Sequence, residues 1–115
     1  MEARQLASDA RLWLAFGKRR VCISLDESAP LLIGRGEECQ LVVDRPFVSR
    51  VHARVVRGGQ DFFVVDESAN GTFVRTEDER VTYVHRKRVR LWGSGFLSFG
   101  EPLSAASVVH FQHAD

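Results

Sequence analysis

Apolar residues enter this chain in short bursts, and after residue 16 no window keeps a helical spacing of apolar positions through three turns. Val, Ile, Leu and Phe gather instead in runs at 12–16, 20–25, 31–34, 41–43, 51–56, 62–65, 72–74, 80–84, 89–91, 96–99 and 108–112. Short runs of β-branched and aromatic residues, divided by turn formers, are what half-buried strands require. Gly17-Lys18, Gly58-Gly59 and Gly100-Glu101-Pro102 read as tight connections, and the stretch 75–80, with Thr76, Glu77, Asp78 and Glu79, as a solvated loop. Many short strands with close-set turns predict an all-β sandwich or barrel. No internal repeat or low-complexity tract interrupts the pattern.

A chain of 115 residues suffices for one domain with its own core. The formal net charge of +1 supplies no global pull toward nucleic acid or a membrane, so any preference for a charged partner must come from local clustering. Cys22 and Cys39 are isolated thiols rather than a disulfide framework or a paired metal motif. They fit a reducing cytoplasm, with a single bridge between them left open. Residues 1–10 carry Glu2, Arg4 and Asp9 without an apolar signal core, and read as a tail or linker ahead of a domain at 11–115. No stretch approaches the ~20 apolar residues that cross a bilayer. The expectation is a soluble cytoplasmic domain with no membrane partner.

Three polar islands sit where apolar runs begin or end: Gly34-Arg35, Ser49-Arg50-Val51-His52-Ala53, and Asp66-Glu67-Ser68-Ala69-Asn70-Gly71-Thr72. Together they hold permanent cations, hydroxyls, an amide and a turn glycine, the groups needed to hold a phosphate. Glycine on each side of Arg35 lets a ligand approach, and a guanidinium there can grip two phosphate oxygens. Alone, Arg35 reads more simply as an exposed strand-end arginine. Ser49 beside Arg50 makes an oxyanion cradle or, as simply, a turn serine next to a solvated arginine. His52 lies two residues beyond Arg50, so a regular strand over 51–56 would point both to one side. With Ala53 behind it, His52 is expected to be a buried, hydrogen-bonded loop anchor. Asp66, Ser68 and Gly71 suit a local turn, whereas the Asn70 amide can both donate to and accept from a peptide backbone.

In this order, with the late Gly95-Phe96-Leu97-Ser98-Phe99-Gly100, the islands resemble the forkhead-associated (FHA) domain of bacterial type over residues 11–112. The resemblance implies an FHA/SMAD-like antiparallel β-sandwich of about eleven strands, with adjacent termini and a ligand held by loops at one end. It also implies recognition of phosphothreonine in a partner protein or peptide, in the setting of a Ser/Thr kinase or its substrate, without catalysis, cofactor or metal. By position, Arg35 is similar to the family's phosphate-binding arginine and Ser49 to its phosphate-binding hydroxyl. Arg50 stands at the adjacent contact, and Asn70 where an asparagine grips the peptide main chain. Gly34, His52, Asp66, Gly71 and Thr72 fall at positions that shape the loops. Ala69 departs from the pattern, since many members carry threonine or another hydrogen-bonding residue there. An apolar niche for the threonine methyl is expected around Asn70. Residues after the phosphothreonine should meet 45–48 and Arg75 onward, with Arg45 or Arg75 favouring an acidic residue.

Other classes compete. Arg50-x-x-x-Arg54 and Asp66-x-Ser68-x-x-Gly71 satisfy the short patterns of PilZ-type cyclic di-GMP binding, but that reading gives no reason for Gly34-Arg35 or Asn70-Gly71-Thr72. Ser49, His52 and Asp66 are the residue types of a hydrolase triad, yet no G-x-S-x-G elbow is present. His85-Arg86-Lys87-Arg88 with Arg90 could touch nucleic acid, but alternation with Val89 and Leu91 reads as a solvated strand face. A phosphate-independent assembly domain of the same fold is the remaining alternative, which Ala69 keeps open.

Overall fold

The computed structural model describes residues 10–25 and 28–114. Its elements are β1 (Arg11–Phe16), β2 (Arg19–Ser24), β3 (Leu31–Gly34), β4 (Leu41–Val42), β5 (Ala53–Gly58), β6 (Asp61–Asp66), β7 (Thr72–Arg75), β8 (Val81–Val84), β9 (Arg88–Leu91), β10 (Ser94–Phe99) and β11 (Val108–Ala114). The described residues hold no helix, and so none long and apolar enough to cross a membrane.

The strands form two sheets, ordered β2-β1-β11-β10-β7-β8 and β4-β3-β5-β6-β9. Pairing is antiparallel except for the short parallel contact of β3 with β4. Strand geometry divides the continuous apolar run of β6 between two faces: along Asp61–Asp66 every second side chain is buried, so Phe62 and Val64 face inward. Leu12, Leu14, Leu97, Val109 and Phe111 from one sheet meet Ile33, Val55, Phe62, Val64 and Leu91 from the other in a single core. Full burial of a side chain such as Phe62 stabilises the fold by about 1.5–3 kcal/mol.

β1 lies against β11, with Arg11 opposite Ala114, which brings the two ends of the described fold together as expected. The expected tail at 1–10 lies outside the described residues except for Ala10, which is buried and accepts a hydrogen bond from Leu25 N at 3.2 Å.

All eleven runs read from the sequence match their strands to within about two residues at each end. The run at 51–56 is shifted, because β5 begins at Ala53 and Arg50-Val51 form a turn. Arg50 is therefore exposed while His52 is buried, and the two do not share a strand face. Local polar bonds at 49–52 outcompete strand pairing there, as described below. The C-terminal ends of β3 and β6 and the start of β5 share one edge of their sheet, with Ile33 opposite Ala53 and Ala53 opposite Asp66. The start of β7 and the end of β10 meet on the other sheet, with Phe99 opposite Thr72. The loops carrying the three polar islands emerge from these ends.

Candidate functional site

The β6–β7 turn is built around a buried carboxylate. Asp66 Oδ1 accepts from Thr72 Oγ1 at 2.7 Å and from Ser68 Oγ at 2.8 Å. Its Oδ2 accepts from Arg86 N at 2.9 Å and Ser68 N at 3.3 Å. Ser68 Oγ in turn accepts from Gly71 N at 2.7 Å, so one hydroxyl closes both ends of the turn. Burial alone would raise the Asp66 carboxyl, but the bonds from Thr72, Arg86 and Ser68 hold it below its ordinary value. Gly71 has φ 84°, and a Cβ there would sit 2.3 Å from the Tyr83 hydroxyl, so this position demands glycine.

His52 joins this turn to the loop before β5. Ser49 N donates to Nδ1 at 3.0 Å, which makes Nδ1 the acceptor and leaves the proton on Nε2, donated to Gly71 O at 2.8 Å. The imidazole is fully buried and packs edge-on against Phe99 with centroids 5.2 Å apart. Desolvation lowers its pKa against the raising effects of Gly71 O and Asp66, so the neutral tautomer is the stable one. His52 is thus buried and bonded to the main chain of both loops.

The loop after β3 is laced to the same segment by its main chain. Arg35 N donates to Ser49 O at 3.0 Å and Gly36 N to Arg50 O at 2.8 Å. Gly34 lies so close that an added Cβ would stand 2.3 Å from Arg50 O, which is why no side chain fits there. These bonds also draw 49–51 out of β5, the cause of its late start.

Upon this frame stand the exposed groups. Arg35 and Arg50 line one open cleft of about 320 Å³ together with Gly36 and Val48. Arg35 reaches across its mouth to 3.5 Å from Pro46 O. Arg50 Nε pairs with Glu38 at 3.1 Å, with both side chains well exposed at 73% and 42%. Ser49 Oγ accepts from Ala69 N at 3.4 Å, and Asn70 Nδ2 donates to Phe47 O at 3.2 Å. Arg35 and Asn70 therefore hold neighbouring carbonyls of one segment, 46–47, while Ser49 bridges to the turn at Ala69. Tyr83 Oη steadies the turn by donating to Asn70 O at 3.0 Å.

Two expected specificity residues are otherwise engaged. Arg45 makes a double bond-pair with Glu101, at 2.7 and 3.0 Å, which holds the Glu101 carboxyl below its ordinary value. Arg75 pairs with Glu79 at 3.0 Å. Within the expected contact stretch 45–48 the exposed group is instead Phe47, 55% accessible. Sequence reasoning missed Arg86 and Tyr83. Arg86 adopts φ 57° so that its N–H reaches Asp66, a bond no local pattern announces.

The rival motifs come apart here. Arg50 lies in the turn and Arg54 in β5, where it pairs with Glu67 at 3.0 Å, while Asp66 and Ser68 are buried and mutually bonded. For a triad, His52 would have to bind the Ser49 hydroxyl, but it binds the Ser49 main chain and Gly71 O. The basic run is dispersed too: Arg88 stacks over Phe63 at 4.5 Å and Arg90 pairs with Asp61 at 3.2 Å. Among the described residues, no three His, Cys, Asp or Glu side chains gather to hold a metal.

Among curated proteins, none matches the chain. Solved structures share the fold. The Mycobacterium tuberculosis Rv1747 FHA-1 structure superposes with a TM-score of 0.71 at 17% identity, covering 92% of this chain and 98% of that one. The MEK1 FHA domain, solved in complex with a HOP1 phosphothreonine peptide, gives 0.67 at 22% identity, covering 90% and 97%. The FhaA FHA domain, complexed with the intracellular domain of Rv3910, gives 0.65 at 24% identity, covering 90% and 100%. A family profile described as the FHA domain matches residues 31–100, the span from β3 to the end of β10 that contains all three polar islands. On that match, carried by an eleven-stranded sandwich of the same architecture, the chain belongs to the FHA domain family.

Proposed function

We propose that this domain is a non-catalytic reader of phosphothreonine in a partner protein, with Arg35, Ser49 and Arg50 as the phosphate cradle and Asn70 as the grip on the peptide main chain. The observation that carries this reading is the pair of guanidinium groups lining one open cleft beside the Ser49 segment. A phosphothreonine brings about −1.5 to −2 charges and three strong acceptors, which two arginines can largely neutralise. Charge-assisted hydrogen bonds contribute roughly 1.5–3 kcal/mol each, so two or three, with backbone bonds, reach ~8 kcal/mol, a micromolar affinity.

Binding requires two exchanges that cost little. Arg50 leaves Glu38, an exposed pair worth about 0–1 kcal/mol, for a phosphate of higher charge. Asn70 trades Phe47 O for a peptide group of the same kind. Relatives of the same fold, among them the MEK1 FHA domain solved with a phosphothreonine peptide, support the ligand class. We extend the reading to a Ser/Thr kinase or its substrate as partner, and to a cytoplasmic setting consistent with the free Cys22 and Cys39.

The test is calorimetric titration of matched phosphothreonine and unphosphorylated peptides into wild type and Arg35→Ala. Binding should require the phosphate and disappear in the variant; equal affinity of both proteins would end the assignment. Ala69 favours one second reading, phosphate-independent assembly, because its side chain adds no polar contact at the cleft. A partner held equally by wild type and Arg35→Ala would select it.

A further inference from the structure

We propose that β8 is a self-association edge: it pairs antiparallel with β8 of a second copy of this chain, about a two-fold axis through Thr82. β8 ends the six-stranded sheet and, among the described residues, pairs only with β7. The hairpin closes through Thr76 N to Arg80 O at 3.1 Å, and the register runs Val74 opposite Thr82 and Phe73 opposite Tyr83. Alternation of the antiparallel ladder then directs the main-chain polar groups of Arg80, Thr82 and Val84 toward β7. Those of Val81 and Tyr83 point away from it.

Open edges are usually blunted by charge, proline or a bulge. This one is not. Val81, Thr82 and Tyr83 are consecutive strand formers without a charge, and Val81 and Tyr83 are 52% and 53% exposed. Their side chains lie on the outer sheet face beside Phe73, whose ring is 5.0 Å from that of Tyr83. Two-fold pairing at Thr82 sets each Val81 opposite Tyr83 of the second copy, exchanging both main-chain bonds and covering both apolar side chains.

Charge identifies the occupant. Glu77, Asp78 and Glu79 precede β8, and Arg86 and Lys87 follow it in the connection to β9. An antiparallel second copy lays the acidic end of each β8 on the basic end of the other, twice by symmetry. The acidic groups already have light local engagements: Glu77 accepts from Ser94 N, Asp78 from Thr76 Oγ1, and Glu79 pairs with Arg75. At the basic end Arg86 Nε donates to Ser68 O at 3.4 Å, and among the described residues no carboxylate lies within ion-pair distance of Arg86 or Lys87. A foreign neutral strand could use the edge but would leave both charged ends unmatched. Tyr83 also touches Asn70, so the seam adjoins the candidate site, but the pairing does not depend on what that site binds.

Sedimentation equilibrium from about 10 μM to about 1 mM, the range suited to a small interface, should show a concentration-dependent dimer. Val81→Lys, which buries an amine at the seam, should weaken it by about tenfold or more while phosphopeptide affinity stays unchanged. A second variant is read without relying on that one. Thr82→Cys in a Cys22→Ser background places two thiols on the axis, at the ~4.5 Å Cα separation of a non-hydrogen-bonded pair, within disulfide reach. Mild oxidation should then yield a covalent dimer, and Lys18→Cys at the β1–β2 turn should not. A chain that stays monomeric throughout and fails to cross-link at position 82 overturns the proposal. So does a dimer as strong in Val81→Lys as in wild type.

Discussion

The turn at Asp66–Thr72 and the rim at Arg35, Arg50 and Asn70 lie within one loop cluster, yet they use polar groups in opposite ways. In the turn, Asp66, Ser68, Thr72 and His52 are buried and bond to partners inside the fold. No buried side-chain polar atom among the described residues lacks a partner. On the rim, the contacts are long or exposed, as in Arg35 to Pro46 O at 3.5 Å and Arg50 to the exposed Glu38. The inner shell gives up polar freedom to fix the loops, and the outer shell keeps weak contacts that a ligand can replace. Preorganisation and exchangeability are divided between two sets of side chains.

That division can be broken most severely at Asp66. Asp66→Ala should cost about 3 kcal/mol or more, because Thr72 Oγ1, Ser68 Oγ and Arg86 N lose their acceptor at once inside the fold. Urea denaturation would read it, and a loss below ~1 kcal/mol would show that the turn is not held by this carboxylate. Arg35→Ala should do the reverse. It should reduce phosphopeptide affinity by roughly 100-fold or more, the range of two charge-assisted bonds and beyond detection for a micromolar reader, with an unchanged denaturation midpoint. A variant that loses stability instead would move Arg35 from the rim to the frame.

Acid should separate the two shells next. The folded pKa of His52 is lowered from 6.5, so the unfolded chain takes up the proton first. The stability His52 contributes is present above pH 6.5 and is lost as pH falls below it, with Asp66, lowered from 3.8, adding a further loss in stronger acid. Protonation would also set an Nδ1–H against Ser49 N–H. Unfolding free energy measured against pH should therefore fall below neutrality in wild type and flatten over that first window in His52→Gln. An identical slope in both would remove His52 from the account. The smallest change expected is at Glu38, where Glu38→Ala frees Arg50 and should tighten phosphopeptide binding by less than about 1 kcal/mol, read by the same calorimetry.

Strand positions were legible because their signal is local: the apolar run 62–65 bounded by Asp61 and Asp66 marks β6, although only the fold decides that Phe62 and Val64 are the buried pair. Turn chemistry at Asp66, Ser68 and Gly71 was legible for the same reason, since its partners are two to six residues apart. The run at 51–56 misled because Val51 counts as apolar wherever it sits. Its removal from β5 comes from Arg35 and Gly36 N–H groups on another strand's loop.

Apolar runs and turn residues by themselves determined that this chain is all-β, where its strands lie, and which islands of polar residues interrupt them. The choice of a sandwich over a barrel rested on the resemblance to the FHA domain. Tertiary structure alone decided that Arg45 is spent on Glu101, 56 residues away, that Arg86 lends its N–H to Asp66, and that Phe47 stands in solvent. The physical reason is one of range. Backbone geometry repeats every few residues and imprints itself on neighbouring positions, whereas a hydrogen bond between distant segments depends on where two sheets happen to bring their edges together, and no local spacing records it.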